Sequence, residues 1–318
     1  MPFSEICGQD RPIEVIKGII ESKRIAGAYF FTGPEGVGKF FTALKFTQTL
    51  NCLKGGLDPC QICASCLKIS KGFHPDIQII NEGEQEAIKI ETVREIKRQL
   101  NLRPYEGNFK VCLINDAHNL TAEAANALLK ILEEPPNKSV LILVSSQSKL
   151  IFKTILSRCK IIRFSALPAK KVREILINEH GFKNDYAHFL AYFYEGRLGA
   201  ALKNKDTELM LKKNRLIDFF TTPDSQAGAP AQEKEELRFC LHILISWLRD
   251  LYLVKSGLKQ DEMIHFDRRG DLLKTASLYE IGEVQQLLTL AHDSLWQLQH
   301  NINAKLILAQ VRSRLWKT

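Results

Sequence analysis

Four cysteines fall within fifteen residues, as Cys52, Cys60, Cys63 and Cys66. Four thiolates at that spacing suit tetrahedral Zn²⁺, which binds Cys₄ sets with no position left open for chemistry. The segment carries little apolar content of its own, so a bound metal would supply its local stability. Disulfide exchange at a C-x-x-C pair would not need the outer two cysteines. An iron–sulfur cluster is allowed by spacing alone. The expectation is structural zinc. Cys7, Cys112, Cys159 and Cys240 lie in apolar or isolated contexts and read as small core residues.

The second stretch with chemistry in it is "TGPEGVGKFF", Thr32 to Phe41. Gly33, Gly36, Gly38 and Lys39 stand where a phosphate-binding loop needs glycines and a lysine. The next position in a working loop is Ser or Thr, whose hydroxyl holds Mg²⁺. Here it is Phe40, which cannot ligate a metal. The acidic strand expected beside such a loop ends in Leu113-Ile114-Asn115-Asp116. Asn115 replaces the metal-holding carboxylate, and Asp116 is shorter than the Glu usually asked to activate water. Losses at one chemical step point to a loop kept as a strand-to-helix turn, with weak or no nucleotide affinity and no hydrolysis of ATP·Mg²⁺.

These residues need elements to hold them. AYFFTG reads as a buried strand running into the glycine turn, and FFTALKFTQTL as the helix after it. RPIEVIKGIIESK (11–23), IETVREIKRQL (90–100) and TAEAANALLKILE (121–133) repeat apolar residues at helical spacing. Thr121 is the N-cap candidate and Pro135–Pro136 the stop of the last. DIQII, KVCLIND and SVLILVSS read as further strands. Strands alternating with helices imply a parallel sheet covered on both faces. After Phe164 strands are no longer expected. Residues 168–205 read as a small helical unit, 221–232 as a weak linker rich in Pro, Ser, Gly and Ala, and the remainder as helical.

The chain has 318 residues, enough for two or three domains, and a formal net charge of +8. That charge makes polyanions, nucleic acid or an acidic protein face, plausible partners. The N-terminal MPFSEICGQDRP has no apolar leader segment, and no stretch approaches about 18 uninterrupted apolar residues. A cytoplasmic location, no membrane partner and reduced cysteines are therefore expected.

Taken together, "ICGQDRPIEVIKGIIESKRIAGAYFFTGPEGVGK", the Cys₄ insert, "KVCLINDAHNLTAEAANALLKILEEPP", "LILVSS", "ILSRCKIIRF" and "NINAKLILAQVRSRL" resemble the delta-prime family of bacterial DNA polymerase III clamp-loader subunits, within the AAA+ superfamily. The joint occurrence of the Cys₄ insert, "NALLKILEEPP" and "SRC" is highly specific. The resemblance implies a RecA-like α/β AAA+ domain over 1–166 carrying a zinc module at 52–66, a small helical lid domain over 167–207 and an all-helical collar over 208–318. It implies a rigid, non-hydrolysing subunit of a heteropentamer with tau/gamma ATPase subunits and the delta subunit, which loads the sliding clamp onto primed DNA in replication. Matching the lid stretch puts Gly199 where hydrolysing relatives carry a sensor Arg, with Arg197 two residues away. Ser157-Arg158-Cys159 is intact, and in the family this Arg acts in trans as an arginine finger on the nucleotide of a neighbouring subunit. On residues alone, Arg158 also reads as a surface side chain capping a helix end. An active tau/gamma-type ATPase and a stand-alone zinc-dependent DNA-binding module are the rival readings. Phe40 and Asn115 weigh against the first; the shortness of the cysteine segment weighs against the second. With no base-reading motif visible, DNA contacts are expected at phosphates.

Overall fold

The computed structural model describes residues 2–81, 86–204, 208–222, 234–257, 262–299, 310–311 and 313–315. The expected linker at 221–232 and the last collar helix at 301–315 lie largely outside the described residues. The chain divides into two compact units: residues 1–167 with 197–200, and residues 168–196 with 201–318.

The first unit is built on five parallel strands: β1 (Ala28–Thr32), β2 (Ile77–Ile80), β3 (Lys110–Ile114), β4 (Ser139–Ser145) and β5 (Lys160–Arg163). Their order across the sheet is β2-β3-β4-β1-β5. β3 and β4 are buried along their whole length, which explains their unbroken apolar runs. Alternate residues feed two cores. Tyr29, Phe31, Val111, Leu113, Val140 and Ile142 face the side of α1 (Asp10–Glu21) and α2 (Lys39–Leu50). Ala28, Phe30, Cys112, Ile114, Leu141 and Leu143 face the side of α4 (Ile90–Leu100), α5 (Ala122–Glu133) and the short α6 (Lys153–Leu156). The period of two on β1 thus divides its side chains between two helical layers. α3 (Ala64–Ser70), which no periodicity had signalled, begins at the end of the cysteine segment and carries Cys66. β5 was likewise not singled out from sequence; exposed Lys160 and Arg163 flank its two apolar residues at the sheet edge.

Thr121 caps α5 as expected, its side chain accepting the N–H of Ala124. After the helix, Pro135 packs so closely on Gly27 that a Cβ there would lie 2.4 Å from the proline ring. Because the strands are parallel, their C-terminal ends gather at one edge, where such sheets hold their sites. Thr32 pairs with Ser145 and Ile114 with Leu143, so the glycine turn, Asn115 and Ser145 are brought side by side.

The second unit is helical among its described residues. α7 (Ala169–Asn178) packs on α8 (Asn184–Phe193), and α10 (Lys234–Lys255) packs on α9 (Glu208–Thr221), α11 (Arg269–Ala276) and α12 (Ile281–Gln299). Its interior holds a polar network. Asp250, fully buried, accepts the His265 N–H at 2.8 Å, and Ser246 Oγ lies 2.8 Å from His265 Nε2. Burial raises the Asp250 carboxyl to about 6, against the pull of the His265 and Ile264 N–H groups and Arg249. No helix of the described residues is long and apolar enough to cross a membrane.

Candidate functional site

The sequence places Cys52 just past the end of α2, Cys60 in the loop, Cys63 at the N-cap of α3 and Cys66 in its first turn. The fold brings all four together, with their Sγ atoms within 4.8 Å of one another and none in a disulfide. Tetrahedral Zn²⁺ with Zn–S bonds of ~2.3 Å requires sulfurs roughly 3.8 Å apart, so a small contraction closes the site. Backbone N–H groups already point inward: Cys60 donates to Cys52 Sγ and Cys66 to Cys63 Sγ, both at 3.5 Å. The thiols are electrostatically divided. Burial and the neighbouring Cys63 and Cys52 push Cys66 far up, although the Gln61 backbone pulls the other way. At Cys60 burial also raises the thiol, but the Ile62 and Cys63 N–H groups and the two neighbouring cysteines outweigh it and bring it to about 6. Four thiolates cannot share this space without a cation, and a dication is what the donor set fits. Bound there, Zn²⁺ would be closed off by sulfur and would serve structure.

The module is pinned to α1, α2 and the N-terminal segment. Gln48 on α2 donates to the Cys66 carbonyl and Ser70 Oγ. Asp58 accepts the Phe3 N–H at 2.8 Å and Lys17 Nζ at 2.9 Å. Beyond α3, buried Asp76 accepts the N–H groups of Tyr105, Glu106 and Gly107 and pairs with Lys110 at 3.2 Å. Burial alone would raise that carboxyl; these donors outweigh it and hold it at about 2.

The glycine turn has the backbone of a phosphate loop. Gly36 and Gly38 take φ of +75° and +91°, the left-handed region that glycine enters without strain. Gly38 is the N-cap of α2. Its chemistry, however, is directed inward. Lys39 is buried, and its ammonium donates to the carbonyls of Gly33 at 2.8 Å and Pro34 at 2.5 Å. Burial lowers its pKa to about 8 despite Asp116 and Glu35. The Gly36 carbonyl accepts the Gly199 N–H at 2.7 Å, and a Cβ on Gly36 would lie 2.8 Å from Ala200. Phe40 packs against the core that contains Tyr29, Phe31 and Phe46. Asn115 spends its amide on Asn81 and on Asp116 Oδ2, both at 2.9 Å. His118, which sequence reasoning passed over, lies 3.2 Å from Ser145 Oγ, an oxygen that also accepts the Gln147 N–H.

Arg158 stands apart from that loop, just past α6. Its guanidinium donates to the Thr154 carbonyl at 3.0 Å and to Ser157 Oγ at 3.3 Å, and pairs with Glu133 at 2.8 Å. The helix-end contact expected of a surface arginine is therefore present. Glu133 was not foreseen as its partner, because the two are twenty-five positions apart and only the α5–α6 packing joins them. Ser157 Oγ donates back to Thr154, and Cys159 packs on the α4–α5 core, where burial pushes its thiol up to about 12. Both are structural neighbours of Arg158, and Cys159 is inert as a nucleophile.

Residues 8–168, half of the chain, match the family described as DNA polymerase III, delta subunit. The chain belongs to this family. Over 292 residues it is 27% identical to DNA polymerase III subunit delta' of Bacillus subtilis, covering 88% of this chain and 87% of that one. It is 33% identical over 210 residues to subunit tau of Escherichia coli, covering 64% of this chain and 32% of tau. A Thermotoga maritima gamma subunit-related protein shares the fold, with a TM-score of 0.52 at 20% identity over 96% of this chain and 98% of that one. The delta-prime resemblance is thus borne out at the level of family, and the parallel α/β sheet it implied is present.

Proposed function

We propose that this chain is a delta-prime-type, non-hydrolysing subunit of the DNA polymerase III clamp loader. In this reading it joins tau/gamma ATPase subunits and a delta subunit in a cytoplasmic heteropentamer that loads the sliding clamp onto primed DNA. The division into an AAA+ domain, lid and collar at about residues 166 and 207 belongs to the same reading. The observation that carries it is the contrast between the turn at Gly33–Lys39 and the arginine at 158. Lys39 and Asn115, side chains that would meet phosphate and magnesium there, are bonded within the chain, and Phe40 offers magnesium no ligand. Arg158 is instead partly exposed and held by a carboxylate that is half exposed itself. Such surface pairs are worth about 0–1 kcal/mol, so a γ-phosphate presented by a neighbour can exchange for Glu133 at small cost. A guanidinium delivered in trans then neutralises charge developing on the transferred phosphoryl group, an effect of ~10³–10⁵ in rate in GTPases.

The similarity to tau supports a second reading, an active ATPase subunit. One experiment separates the two. The purified chain is assayed for magnesium-dependent ATP turnover alone, and Arg158→Ala is assayed in the reconstituted loader. No turnover by the chain alone, with at least ~10-fold less turnover in the Arg158→Ala complex, is expected. Turnover by the chain alone establishes the ATPase reading. Unchanged turnover in the variant complex removes Arg158 from the mechanism.

A further inference from the structure

Phe73 and Tyr105 are the two most exposed large hydrophobic side chains among the described residues, at 79% and 86%. Single exposed apolar residues need no explanation. These two are held together and held rigidly. His74, next to Phe73, has its Nε2 3.5 Å from Glu106 Oε1, and Glu106 follows Tyr105. Lys68 Nζ lies within 2.8 Å of both Glu106 oxygens, and the Phe73 N–H is donated to the Lys68 carbonyl at 2.9 Å. The Asp76 carboxylate, its side chain wholly buried, fixes the backbone of Tyr105 through Gly107. A buried charge is thus committed to a loop whose aromatic ring points into solvent.

Cations predominate along the segments that carry the rings. Along residues 67–75 and 97–108, Lys68, Lys71, Lys97, Arg98 and Arg103 are set against one carboxylate, Glu106. Glu106 is taken by Lys68, and Arg98 is paired with Glu95. Each exposed ring follows a cation at the same interval, in Lys71-Gly72-Phe73 and Arg103-Pro104-Tyr105. Exposed aromatic faces beside cations are the chemistry of single-strand binding, in which bases stack on rings and phosphates meet the charges. A protein-docking core, by comparison, is depleted of lysine.

We propose that the surface carrying Phe73 and Tyr105, flanked by Lys71 and Arg103, binds single-stranded nucleic acid by base stacking. This does not depend on the ATPase or arginine-finger assignment, because the chain alone tests it. Dye-labelled oligo(dT) is titrated with the full chain, purified with zinc, and binding is read by fluorescence anisotropy. Phe73→Ala or Tyr105→Ala weakens binding by about tenfold each, while Tyr105→Phe, which keeps the ring, binds as wild type. Lys71→Gln with Arg103→Gln reduces the salt slope by about 1.4, at ~0.7 per phosphate contact on a single strand. An oligomer of abasic deoxyribose phosphates binds more weakly and is insensitive to the aromatic variants. Absence of binding by the wild-type chain overturns the proposal. So do aromatic variants that bind oligo(dT) normally but lose affinity for another clamp-loader subunit, which would make the surface a protein interface.

Discussion

The cysteine cluster and the glycine turn flank one helix, α2, and they have opposite character. At the cysteines, donors converge on a common centre and repel one another until a cation joins them. At the turn, the side chains that would meet phosphate or magnesium have partners inside the protein: Lys39 in its own loop, and Asn115 in Asn81 and Asp116. A site that awaits a ligand leaves polar groups uncompensated, because pairing them beforehand would have to be undone on binding. Retained glycines and a retained lysine are therefore a poor guide to binding unless their partners are also known.

The largest expected effect concerns the metal. Cys66→Ser lowers the zinc content from about one per chain to near zero and speeds amide exchange across residues 52–70. A folded wild-type chain with four titratable thiols and no metal would erase the contrast between the two regions. Next is Asp76→Asn, which removes a buried acceptor of three N–H groups and should cost about 3 kcal/mol by denaturant unfolding. The same carboxyl predicts a pH dependence. Its folded value of about 2 is below the usual 3.8, so its contribution is complete above pH 4 and is lost as pH falls toward 2. The variant should show a flatter stability curve across that interval.

A smaller effect is expected at the turn. Phe40→Thr restores the hydroxyl of a working loop yet removes apolar packing, and should destabilise by about 1–2 kcal/mol without producing ATP turnover. Turnover gained by this single change would show that the remaining groups are not internally committed. Lys39→Ala should have the least effect, leaving the turnover of the reconstituted complex unchanged. A loss as large as that from Arg158→Ala would identify the turn as a nucleotide site.

Much of this was legible in the chain. The apolar runs at 28–32, 110–114 and 139–145 announced a parallel sheet, and Thr121 and Pro135 bounded α5, because these signals are local in sequence. Cys52-x7-Cys60-x2-Cys63-x2-Cys66 announced a four-thiol cluster able to hold a metal for the same reason: the cysteines are near neighbours along the chain. β5 was obscured by the charges at its edge position, and α3 by the turn residues around it. The pairing of Glu133 with Arg158, the bond from Gly199 to Gly36 and the hold of Asp76 on the loop bearing Tyr105 had no sequence signal.

By itself, then, the sequence determined the element types, a four-cysteine set able to hold a metal, and Phe40 and Asn115 at positions where a magnesium-holding hydroxyl and carboxylate would stand. Only the tertiary structure decided where Lys39 and Asn115 direct their donors, which carboxylate holds Arg158, and that Phe73 and Tyr105 share one rigid surface. Asn115 reaches Asn81 across 34 positions, Arg158 meets Glu133 across 25, and Asp76 holds Tyr105 across 29, all at hydrogen-bonding distance. The packing of helices on a sheet sets such distances, and no local pattern encodes them.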